Sequence, residues 1–196
     1  VQNTVKAAAK PANAQGEIVR NVRQGELDFC VGESDWISTL LGSCVALCLR
    51  DPFTGIGGLN HFLLPSAERG DDQSSTRYGS YAIEMLINKL MRAGADRRRM
   101  EGKIFGGGKM FETNGPGIGQ MNIDFVRAFC DLEEIPLLSE NVGGPFARKL
   151  QYQPISGRAR VLKLGREVNA ALGQKEQAFG GKLANAHLSG GAELFG

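Results

Sequence analysis

Two residues in this chain are of the types that nucleophilic acyl chemistry needs: Cys44, preceded by Gly42-Ser43, and His61. A free thiol titrates near pH ~8.5, and an imidazolium partner can bring it to roughly 3.5–7.5. The thiolate then attacks a carbonyl carbon while the imidazolium protonates the leaving group. The small Gly42-Ser43 entry lets backbone N–H groups turn toward the reacting centre as an oxyanion hole. A third polar group must orient the far ring nitrogen of the histidine. Ser38 and Thr39 lie just upstream for that task, whereas Asn60, adjacent to His61, points the other way along a strand. The other histidine, His187, falls in a stretch that reads as a tail, so His61 stands alone in the folded part.

The elements that must bring the pair together are two apolar runs, Leu40 to Arg50 and Ile56 to Pro65, around Asp51-Pro52-Phe53-Thr54-Gly55. That pattern predicts a β-hairpin, with Asp and Pro suited to a type I turn and Gly55 to a left-handed closing residue. If Arg50 opposes Gly55, Cys44 lies directly across from His61. If Asp51 opposes Ile56, the two are diagonal on one face. Cβ atoms so related lie roughly 4.5–8 Å apart, and a slip of one residue would put them on opposite faces. A zinc site from Cys44, Cys48 and His61 is excluded, because i and i+4 in a strand are ~13 Å apart. Cys30, Cys48 and Cys130 read as small apolar filler.

Around the hairpin, periodicity predicts a first strand within Val31 to Leu41, a helix from Ser80 to Ala93 stopped by Gly94, and a strand at Lys103 to Phe105. A second helix is predicted from Asn122, as N-cap, to about Glu133. A strand at Ile135 to Glu140 and a closing hairpin of Arg148 to Gln153 and Arg158 to Leu164 complete the pattern. Arg69 to Thr76 reads as loop and Arg97-Arg98-Arg99 as a solvated face or a docking patch for an acidic partner. Gly106-Gly107-Gly108-Lys109 lacks the order of a phosphate loop and reads as a tight turn or substrate-lining backbone. Gly143-Gly144 with Arg148 is a turn that can place a guanidinium near a site. The fold class is α/β: antiparallel hairpins with two helices covering a sheet face.

The chain has 196 residues, 42% hydrophobic and 22% charged, with a formal net charge of +2. This is room for one domain with a real core, read as residues 17–172 between flexible tails at 1–16 and 173–196. So flat a charge balance gives no reason to expect nucleic acid or an anionic membrane. No apolar run approaches the ~18 residues of a membrane span, and the first residues lack the order of a signal peptide. Four cysteines without a C-x-x-C pair suit a reduced, cytoplasmic setting.

The segments Leu40 to Pro52 (LLGSCVALCLRDP) and Gly57 to Pro65 (GGLNHFLLP) resemble the CheD chemoreceptor glutamine deamidases. So do Tyr78-Gly79, Lys103 to Phe111, Ile118-Gly119-x-x-Asn122 and Gly143-Gly144-x-x-x-Arg148, so that the likeness spans residues 25–165. The resemblance implies a layered α/β/β sandwich that hydrolyses glutamine side chains on the cytoplasmic helical region of methyl-accepting chemoreceptors, without cofactor or metal. It implies Cys44 as nucleophile, His61 as general base and, six positions before the cysteine, Ser38 as third member. The family carries Thr at that place, and Thr39 lies one place along. Gly42, Ser43, Thr39, Gly107 and Gly108 are then the expected oxyanion or substrate-lining residues. A secondary methylesterase activity passes through the same thioester. A CheC-type phosphatase docking at the active cleft is a further partner in the family, and a non-catalytic adaptor of such a phosphatase is the alternative reading.

Overall fold

In the computed structural model, residues 16–64, 72–110 and 117–165 are described, together with Leu172 and Gln174. Almost all of both expected tails, and His187, lie outside them. The strands are β1 (Ile18–Asn21), β2 (Leu27–Cys30), β3 (Asp35–Leu41), β4 (Val45–Arg50), β5 (Gly57–Phe62), β6 (Glu101–Gly106), β7 (Leu137–Val142), β8 (Arg148–Gln153) and β9 (Arg158–Lys163). The helices are α1 (Asp72–Ala93) and α2 (Ile118–Leu132), with a short 3₁₀ turn at Arg97–Arg99.

The strands form two sheets, β1-β3-β8-β9 and β2-β5-β4-β6-β7. Strand β4 is central in the larger sheet and apolar up to its last residue, Arg50, as a strand covered on both faces must be. Val45, Leu47 and Leu49 face the helices and pack with Ile83, Leu86, Ile87 and Leu90 of α1 and Ile123 and Val126 of α2. Cys44, Ala46 and Cys48 point the other way, into a second core shared with Ile37, Leu41, Leu150 and Tyr152 of the smaller sheet. The order of layers is therefore helices, five-stranded sheet, four-stranded sheet. This is the expected α/β/β sandwich with both helices on one sheet face. Parallel pairs, β1 with β3 and β6 with β7, join the expected antiparallel hairpins.

The central hairpin takes the second of the two registers: Asp51 N–H donates to Ile56 O at 2.9 Å, and Val45 opposes Phe62. Gly55 has φ 71° and its N–H donates to Asp51 O, which closes the turn in the left-handed conformation expected of it. The Asp51 carboxylate, fully buried, is held by the Arg99 guanidinium and by the N–H groups of Phe53 and Asp96. These bonds, the Arg99 pair first, draw its pKa well below the usual carboxylate range against the opposing effect of burial. A depressed folded-state pKa stabilises the fold above the unfolded value, near ~3.9, and that contribution is lost as pH falls. Wild-type stability is therefore expected to fall with pH below about 4. In Asp51→Asn the dependence is shallower, as denaturant melts at pH 3 and pH 6 will show.

Five expectations are corrected. Strands β1 and β2 precede the first one expected, because four-residue edge strands leave too little alternation to read. Helix α1 begins at Asp72, inside the stretch read as loop, since its first turns carry polar residues. Helix α2 begins at Ile118 with Gly117 as N-cap, so Asn122 sits within the helix instead of capping it. Strand β7 starts two residues later than expected and runs to Val142. The arginine run is not a free patch. Arg97 bridges Glu84 and Glu133, Arg99 pairs with Asp51, and only Arg98, bonded to Asp96, is mostly exposed.

Candidate active site

Cys44 lies one residue before the paired part of β4. Continued register places it opposite Leu63 and diagonal to His61, on the face turned toward the smaller sheet. Ala46 is directly opposite His61, so a methyl group, not a larger side chain, faces the imidazole. Both members are buried, Cys44 completely and His61 at 4% exposure.

The third polar group comes from β3. Residues Ile37, Thr39 and Leu41 alternate into the space between the sheets, while Leu40 faces out. Thr39 Oγ1 lies 2.7 Å from His61 Nδ1 and donates its one proton to Val22 O, also at 2.7 Å. Toward the ring the hydroxyl therefore acts as acceptor, which assigns the proton to Nδ1 and the lone pair of the neutral ring to Nε2. Ser38 is on the opposite face of β3, and its hydroxyl donates to Leu150 O at 3.1 Å. The structure thus brings Thr39, not Ser38, to the histidine. A register shifted by one residue reverses every side chain of a strand, so counting back from the cysteine could not settle which hydroxyl faces it.

The glycine box holds the Cys44 backbone. Gly107 N–H donates to Cys44 O and Gly108 N–H to Gly42 O, each at 2.7 Å. These two donors are directed at carbonyls of the cysteine loop, so Gly107 and Gly108 serve as its clasp and not as oxyanion donors. The clasp is itself held. Gly143 N–H donates to Gly106 O and Lys109 N–H to Gly144 O. The buried Arg148 guanidinium fixes that second turn through Asn141 Oδ1, Phe146 O and Gly143 O. Burial lowers the Arg148 pKa from its ordinary value. Its role is to brace the turn from inside.

Beside His61, a cleft between α1 and the β2–β5 edge is lined by Glu26, Asn60, His61, Tyr78, Tyr81 and Met85. Burial first, and the charge of Cys44 second, raise the Tyr78 hydroxyl above its ordinary value. Tyr78 is thus a site neighbour that no spacing argument from the sequence could find, lying on a helix far along the chain. The other three thiols are held protonated. Burial pushes Cys30 and Cys130 up to about 12 and Cys48 well above the ordinary range. Among the described residues no cluster of His, Cys, Asp and Glu could hold a metal ion, and no helix is long and apolar enough to cross a membrane.

Residues 63–163 match the family model described as CheD chemotactic sensory transduction. A protein of Xanthomonas campestris pv. campestris (strain B100), named "Probable chemoreceptor glutamine deamidase CheD", is 43% identical over 167 residues, covering 84% of this chain and 83% of that protein. One of the same name from Stenotrophomonas maltophilia (strain K279a) is 42% identical over the same length, with the same coverage. A third, from Caulobacter sp. (strain K31), is 49% identical over 141 residues, or 71% of this chain and 74% of that protein. The chain belongs to the CheD family.

Proposed function

We propose that this protein deamidates glutamine side chains of chemoreceptors through a Cys44 thioester. The observation that carries this reading is the Thr39–His61 hydrogen bond on the face that Cys44 shares. It fixes the tautomer whose Nε2 can take the proton of a thiol, and it does so inside a family whose relatives bear the deamidase name. In the reaction, the Cys44 thiol gives its proton to His61 Nε2 and the sulfur bonds the amide carbon. The carbon–nitrogen bond breaks as the imidazolium protonates the nitrogen, and ammonia leaves. Water then attacks the thioester, giving a proton back to His61. Glutamate departs and the thiol is restored. A glutamate methyl ester would enter the same acyl-enzyme with methanol as leaving group, which is the basis of a secondary methylesterase activity. The product carboxylate changes the charge of a receptor helix by one unit and so its electrostatic pairing.

The test is intact-mass analysis of a cytoplasmic chemoreceptor fragment incubated with the protein. Each converted glutamine adds about 1 Da and releases one ammonia. A fragment of unchanged mass, with no ammonia, overturns the proposal. A second measurement reads the sulfur alone. A thiol of pKa about 12 is thiolate in roughly one part in 10⁵ at pH 7. All four thiols are buried, so each is reached only by local opening, and with His61 to take its proton Cys44 is expected to be labelled by iodoacetamide well before Cys30, Cys48 or Cys130 in the folded protein. Equal labelling of Cys44 and Cys48 counts against an activated nucleophile.

A further inference from the structure

Asn122 is fully buried in the second turn of α2 and makes two hydrogen bonds outside its helix. Its Nδ2 donates to Ser43 O at 3.0 Å, and its Oδ1 accepts from Leu64 N–H at 2.8 Å. One side chain therefore ties the residue before the nucleophile to the chain just beyond β5. With the two glycine bonds, three consecutive carbonyls of the cysteine loop, Gly42, Ser43 and Cys44, each accept from a donor fixed elsewhere in the fold.

The peptide geometry gives this a direction. No peptide bond among the described residues is cis, and a trans peptide carries its C=O and N–H antiparallel in one plane. Asn122 draws the Ser43 carbonyl toward α2, which packs on the helix side of the larger sheet. By that geometry the N–H of the same peptide, which belongs to Cys44, is directed away from α2, and the Cys44 side chain packs on that side of the larger sheet. Negative charge develops on the amide oxygen next to the sulfur after attack, so a backbone donor held there needs no reorientation during the reaction. Gly119 makes the approach possible. A Cβ at that position would stand 2.5 Å from Gly107 O, so only glycine lets α2 close on the glycine box. Asn122, three residues on, then lies on the same helix face.

We infer that Asn122 is a positioning residue for catalysis, setting the plane of the Ser43–Cys44 peptide and thereby the direction of the Cys44 N–H. The inference rests on the deamidase reading. Asn122→Asp keeps the acceptor for Leu64 N–H and, when ionised, loses the donor to Ser43 O. Asn122→Ala loses both, and Asp carries the test if Ala does not fold. For folded Asn122→Asp, kcat for the receptor fragment is expected to fall about 10²–10³-fold, the usual effect of removing an oxyanion donor. KM should stay near wild type, and in the uncharged Asn122→Ala the pH profile of Cys44 alkylation should too, since neither binding nor the thiol–imidazole pair is touched. A kcat within about threefold of wild type at neutral pH, or an alkylation profile of Asn122→Ala that moves in step with kcat, overturns the inference and leaves the deamidase reading standing. An inactive wild type overturns both.

Discussion

Cys44→Ala is expected to abolish deamidation, and His61→Ala to lower kcat/KM by about 10³–10⁴-fold, while both proteins stay folded. Cys44→Ala removes one buried sulfur and His61→Ala a buried imidazole with its Thr39 bond, so the second should melt below wild type while circular dichroism shows both folded. The finer expectation concerns the hydroxyls. Thr39 Oγ1 is bonded to His61 Nδ1, and Ser38 Oγ to a strand carbonyl on the other face. Thr39→Ala and Thr39→Val should each cost about 10–100-fold in kcat, because the ring loses the acceptor that fixes its tautomer. Thr39→Ser should restore most of it. Ser38→Ala should stay within about twofold of wild type, having lost one ordinary hydrogen bond. Ammonia release from a receptor fragment measures all six variants in one assay. If Ser38→Ala is the damaging change and Thr39→Ala the silent one, the histidine is oriented from the other face and the assignment fails.

That contrast also shows how far the sequence could be read. The Cys44–His61 pairing was legible because a hairpin has only a few registers, and the Asp-Pro…Gly turn admits the odd ones that put both residues on one face. The layering was legible for a similar reason: Ile83, Leu86, Ile87 and Leu90 keep helical spacing, and Leu150 and Tyr152 keep strand alternation. What stayed hidden depends on contacts between elements remote in sequence. Thr39 and Ser38 differ by one position, and only the packing of β3 against the larger sheet decides which faces His61. Asn122 was legible as a polar residue near a helix start, yet its partners Ser43 and Leu64 lie on other elements, so its position suggested a cap. The arginine run looked solvated because Glu84, Glu133 and Asp51 come to it from three separate segments. Periodicity reports which face of an element is apolar and carries no information on which polar groups meet across the fold.

Gly106→Ala is the second large effect, and a comparison within the same clasp isolates its cause. Gly106 has φ 104° and Gly143 has φ 67°, so an alanine at either place meets the left-handed penalty of roughly 1–2 kcal/mol. The surroundings differ. A Cβ at Gly106 would lie 2.2 Å from Cys44 O, whereas one at Gly143 has nothing within 4 Å. The overlap at Gly106 is with backbone, which cannot rotate aside. Relief requires β6 to part from the start of β4, and the first thing displaced is the Cys44 carbonyl that Gly107 N–H holds. Gly143→Ala is therefore expected to lose only about 1–2 kcal/mol in denaturant unfolding, with kcat reduced less than about tenfold. Gly106→Ala should lose at least about 3 kcal/mol, and its folded fraction should retain less than about 1% of wild-type kcat. Equal losses in the two variants would mean that backbone conformation alone governs this box. The cysteine loop would then owe its geometry to its own turn, not to the strand packed beside it.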